Sequence, residues 1–74
     1  TIFPNPNHGV FSIQSEVEMS SIAIFDVVGK RVYSDIVTGN YATFDLSNEA
    51  KGVYFYQIRI GNNQKMQTGK VILY

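Results

Sequence analysis

The sequence predicts an all-β domain, built as two small antiparallel sheets packed face to face. Three observations lead there. Apolar and polar residues alternate over short runs, the mark of half-buried strands. Gly, Asn and Asp punctuate those runs at near-regular spacing, which favours a sandwich or barrel. No stretch keeps a helical period over the roughly 11–18 residues a helix requires. The chain has 74 residues, enough for one small domain spanning positions 1–74. A chain this short buries only about 60–65 % of its unfolded surface, so its margin of stability is thin.

Residues 1–9 form a rigid leading segment. Pro4 and Pro6 fix their own φ and push Phe3 and Asn5 towards extended backbone. Asn7 and Gly9 supply turn chemistry. Residues 10–14 alternate, with Phe11 and Ile13 on one face. Residues 15–21 are polar, with Val17 and Met19 set against Glu16 and Glu18, and suit a loop or a weak edge strand. Residues 21–27 make a buried strand, Ile22 and Ile24 on one side and Ala23 and Phe25 on the other.

Asp26-Val27-Val28-Gly29 then reads as a type I turn. Asp accepts a hydrogen bond from the backbone two residues on, and Gly takes the left-handed conformation of a bulged hairpin. In residues 31–37, Val32 and Ile36 are expected to face the core, with Arg31, Tyr33 and Asp35 outside. A turn at Thr38-Gly39-Asn40 leads to residues 41–46, where Ala42, Phe44 and Leu46 point inward. Residues 47–52 suggest one capped helical turn, with Ser47 as N-cap and Gly52 as its left-handed end.

Residues 52–60 carry the strongest strand composition in the chain. Tyr54, Tyr56, Ile58 and Ile60 share an apolar face. The other face begins with Val53 and Phe55 and turns polar at Gln57 and Arg59. This profile marks a central strand, more exposed at its C-terminal end. After a turn at Gly61-Asn62-Asn63, residues 64–74 return as the last strand, with Gly69 at a bulge. Val71 and Leu73 face one way, Ile72 and Tyr74 the other.

Composition narrows the chemistry. Six basic residues balance six acidic ones, so no general attraction to nucleic acid or anionic membrane is expected. There is no cysteine, which removes disulfides and thiolate chemistry. No apolar run approaches the roughly 20 residues of a membrane-spanning helix, so membrane insertion is not expected. A lone His8 has no second His or Cys to complete a zinc set, and reads as a solvated loop residue. Asp26, Asp35 and Asp45 are candidates to pair for hydrolysis, and Asp26 or Asp45 to hold calcium with backbone carbonyls, but each fits a turn or a strand's outer face. No metal, no cofactor and no catalytic residue is therefore expected. Exposed rings at Tyr33 and Tyr41 leave open a carbohydrate-binding or adhesive module appended to a secreted enzyme. An apolar terminal strand at a sheet edge could also accept a partner strand.

Four motifs fall in order along the chain: Phe3-Pro4-Asn5-Pro6-Asn7-x-Gly9; Ile24-Phe25-Asp26-x-x-Gly29-Lys30-x-Val32; Asp45-Leu46-Ser47 with Gly52-Val53-Tyr54-Phe55; and Gly69-Lys70-Val71-Ile72. Together they resemble the C-terminal sorting domain of the type IX (Por) secretion system, type A. The resemblance implies a small Ig-like antiparallel β-sandwich of about seven short strands in two sheets. It implies a non-catalytic signal that directs an upstream cargo domain across the outer membrane of a Gram-negative bacterium. The cargo would pass through the periplasm to the cell surface or the extracellular space. The implied partners are an outer-membrane translocon, a shuttle protein and a sortase that commonly removes the domain.

Carried over as motif residues are Pro4, Asn5, Pro6, Gly9, Asp26, Gly29, Lys30, Gly52 and Tyr54. The last strand, with Lys70, Val71, Ile72, Leu73 and Tyr74, resembles the part of the family most tied to secretion. The chain starts at Thr1, as expected for a piece of a longer protein. It ends at Tyr74, where family members often carry a basic residue.

Overall fold

The computed structural model describes residues 2–5, 8–61 and 65–74. Its strands are β1 (Ile2–Phe3), β2 (Val10–Gln14), β3 (Met19–Phe25), β4 (Arg31–Ile36), β5 (Tyr41–Asp45), β6 (Gly52–Ile60) and β7 (Lys65–Leu73). They form two antiparallel sheets, ordered β1-β2-β5 and β4-β3-β6-β7. The chain changes sheet between β2 and β3, β4 and β5, and β5 and β6, giving the Ig-like sandwich. The leading segment thus contributes an edge strand, β1, paired to β2. The expectations for Thr1, Pro6, Asn7, Asn62, Asn63 and Gln64 concern residues outside the described ones.

Alternation decides which side chains meet between the sheets. Phe11, Ile13, Phe44 and Leu46 come from one sheet; Ile22, Ile24, Tyr54, Ile58, Val71 and Leu73 come from the other. All are buried in one cluster, each contributing roughly 1.5–3 kcal/mol of apolar transfer. The Tyr33 ring meets Phe44 edge-on at 5.8 Å, joining β4 of one sheet to β5 of the other. β6 lies between β3 and β7 with Tyr54 and Ile58 inward, as its composition predicts. Exposure on its outer face begins at Phe55, earlier than the sequence suggests.

Several local expectations are corrected. Met19 is buried and opens β3, while Val17 stays exposed; β3 therefore starts two residues before the predicted strand. In β4, Ile36 is 80 % exposed and Tyr33 packs on the core. The cause is a register shift between Ile24 and Phe25. Phe25 pairs with Arg31 but Ile24 pairs with Tyr33, leaving Val32 as the extra residue. A bulge of one residue reverses the alternation beyond it, so Val32 and Tyr33 both reach the core.

Residues 46–49 form a β-turn rather than a helical turn, closed by Glu49 N–H donating to the Leu46 carbonyl. Its side-chain cap is Asp45, not Ser47: Asp45 Oδ1 accepts from Ser47 N–H at 2.8 Å. The Ser47 hydroxyl, and after it that backbone bond, holds the Asp45 carboxyl below its usual range. Gly69 is not a bulge. It pairs in register with Tyr56, and a Cβ there would collide with the Tyr56 ring. Gly69 makes room for that ring to lie across the strand.

Candidate functional site

β7 is the outermost strand of its sheet, so one side of its backbone faces away from β6. Within it, Val71 and Leu73 are fully buried. Lys70, Ile72 and Tyr74 alternate with them on the outer side. Of the five residues predicted for recognition, only these three have side chains directed away from the core; Val71 and Leu73 hold the strand in it.

The outward backbone groups at the C-terminal half of β7 are already engaged. Asn5 Nδ2 donates to the Lys70 carbonyl at 3.0 Å, and Asn5 Oδ1 accepts from Ile72 N–H at 3.0 Å. A primary amide carries one donor and one acceptor side, as a peptide group does. Asn5 therefore stands where one residue of a neighbouring strand would stand. His8 continues the clasp: its Nδ1–H donates to the Tyr74 carbonyl at 2.7 Å, and its ring lies 4.3 Å from the Tyr74 ring. Lys51 Nζ in turn donates to the His8 carbonyl. His8 is thus exposed in a loop, as the sequence suggests, and also partnered.

The remaining motif residues hold this arrangement from behind. Gly9 is buried at φ +127°, and a Cβ there would lie 2.6 Å from Ser47 Cα. Its carbonyl accepts from Leu46 N–H, which anchors the leading segment to the end of β5. Pro4 follows β1 through a cis peptide bond. Asp26 caps the β3–β4 hairpin as the sequence predicts. Its Oδ1 accepts from Val28 N–H at 3.1 Å and Lys30 N–H at 2.9 Å, with Gly29 at φ +88°. Gly52 opens β6 at φ +146°. Tyr54 is buried, and its hydroxyl donates back to the Ala50 carbonyl, the corner contact of Ig-like sandwiches. Burial, with Glu49 and Asp26 nearby, raises its pKa.

The other candidates do not converge. Tyr33 packs inward, its hydroxyl donating to Asp35, and burial followed by that carboxylate raises its pKa. Tyr41 is exposed on β5 of the opposite sheet, against Phe3 at 6.2 Å. Hydrogen bonds to Ser12 and then Thr43 lower its pKa. The two rings make no common platform. Asp26, Asp35 and Asp45 each bond their own neighbouring backbone. Among the described residues, no group of three His, Asp or Glu could hold a metal ion.

Sequence reasoning carried Asn5 over as a motif residue but missed its role, and missed His8. The available signal was an Asn held extended between two prolines. A family model described as the secretion system C-terminal sorting domain matches residues 1–74, the whole chain. The search of curated proteins finds no match.

Proposed function

The chain belongs to the family of secretion system C-terminal sorting domains, signals for type IX secretion, and from that premise we propose how it is read. The family implies export to the cell surface or extracellular space, with the type IX machinery as partner and cargo upstream. In this reading residues 1–74 fold as one non-catalytic domain. The domain crosses the periplasm with its cargo, meets a shuttle protein and the outer-membrane translocon, and is removed by a sortase at the surface.

The machinery reads the outer side of β7 through Lys70, Ile72 and Tyr74. The observation that supports this is the burial pattern of residues 70–74. Alternate side chains are locked in the core, which fixes the others in a set geometry. Preorganised side chains bind without the entropy loss of ordering a flexible tail.

The test fuses the chain to a periplasmic reporter in a type IX-competent host. Deleting residues 70–74 would also remove Val71 and Leu73 from the core, so substitutions are preferred. Lys70→Glu and Tyr74→Ser should leave melting close to wild type and trap the reporter in the periplasm. Normal surface display of both variants would refute recognition through β7.

A further inference from the structure

We propose that the outer face of the four-stranded sheet is a second interaction surface, shaped for a protein segment that carries carboxylates around an apolar side chain. The face takes in Lys70 and borders Ile72, so it adjoins the side chains by which β7 is read, but its occupant is tested without reference to sorting.

The register lines up side chains in rows across all four strands. One row runs Arg31, Phe25, Phe55, Lys70, since each pairs with the next. Two phenylalanines sit at its centre with a cation at each end, and Phe55 is 45 % exposed. Beside them, Val53 pairs with Ile72. The next row, Ser34, Ala23, Gln57 and Thr68, is short-chained towards β4. The row beyond it holds Ile36, Ser21, Arg59 and Met66. Ser34, Ala23 and Gln57 of the middle row floor a groove of about 470 Å³, walled by Phe25 and Arg31 on one side and by Ile36 and Arg59 on the other, with Asp35 at its β4 end.

Charge decides what fits it. Lys70, Arg31 and Arg59 stand on this face, and no acidic residue occupies any of the three rows. The chain as a whole is neutral, so its acids have been placed elsewhere. The one carboxylate that lines the groove, Asp35 at its β4 edge, is engaged by Ile36 N–H and the Tyr33 hydroxyl, whereas Arg31 and Arg59 line it as cations. An apolar centre ringed by cations is the anatomy of a protein interface, with Phe and Arg as its characteristic residues. Strand spacing and rise put the area on the order of 400 Å². That is below the ~800 Å² per partner of a standard stable interface. The surface therefore suits a contact that forms and releases.

The test titrates the isotope-labelled chain with a short synthetic peptide alternating Glu and Phe, following amide shifts. Parallel arms use Glu/Ser and Lys/Phe peptides, polygalacturonate, and phosphatidylcholine vesicles containing phosphatidylglycerol. The expected result is binding of the Glu/Phe peptide with shifts centred on Phe55, Gln57 and Arg59, weakened by added salt. Arg59→Glu and Phe55→Ser should each weaken it by about tenfold, roughly one exposed contact, whereas Val10→Ser, exposed on the opposite sheet, should leave it unchanged. Arg59 is exposed, so its variant retains the fold even if Phe55→Ser does not. Equal binding of the Lys/Phe peptide would overturn the proposal. So would shifts confined to a sheet edge, unchanged affinity in Arg59→Glu, or tighter binding to vesicles or polygalacturonate. No readout involves sorting, so failure here leaves the reading of β7 standing.

Discussion

Replacing Asn5 by Ala should destabilise the fold through a contact more than sixty residues distant in sequence. The substitution removes the donor to Lys70 and the acceptor from Ile72, |i−j| = 65 and 67. Each neutral hydrogen bond is worth about 0.5–1.5 kcal/mol net. Both are solvent-exposed, so water can replace them and the lower half of that range applies. The expected loss is about 1–2 kcal/mol. Unfolding entropy of about 2.1 cal/mol/K per residue over 74 residues converts this to a fall in Tm of about 6–13 °C. Asn5→Asp should cost at least as much. It keeps an acceptor for Ile72 N–H but sets a carboxylate against the Lys70 carbonyl. Amide hydrogen exchange gives the specific readout. Ile72 should lose protection in Asn5→Ala, while Val71, which pairs with Tyr54, should keep it. Unchanged Ile72 protection together with unchanged Tm would refute the clasp.

Three further outcomes are expected. Tyr54→Ala should cost about 3–5 kcal/mol by denaturant titration, because the ring is only 5 % exposed. Tyr54→Phe should cost about 1 kcal/mol, the bond to Ala50 alone; equal losses in the two variants would mean the ring is not packed. Gly9→Ala should abolish cooperative folding or lower Tm sharply, since the new Cβ meets Ser47 backbone at a positive φ; a wild-type melt would contradict that geometry. In alkaline titration followed by tyrosinate absorbance, Tyr41 should ionise first, and Tyr33, Tyr54 and Tyr56 last. The last three have folded pKa values above the unfolded value near 10. Their contribution is complete below about pH 10 and is lost as pH climbs towards the folded values. Stability rising with pH in that window would reverse the assignment.

Local sequence specifies the strands, most of their faces and one hairpin. These depend on neighbours within a few residues. The alternation of Tyr54, Tyr56, Ile58 and Ile60 marks β6 wherever it lies, and Asp26 with Gly29 builds its turn from its own backbone. The tertiary structure decided whatever depends on register between strands. The bulge opposite Ile24 and Phe25 turned Tyr33 inward and Ile36 outward, a choice made by β3 and not by β4 itself. Gly69 is explained only by the Tyr56 ring lying over it, and Gly9 only by Ser47 at the end of β5. The row Arg31, Phe25, Phe55, Lys70 exists only once four strands are in register. The clasp of Asn5 and His8 on β7 joins the two ends of the chain, and periodicity, which has no reach beyond one element, leaves no trace of it.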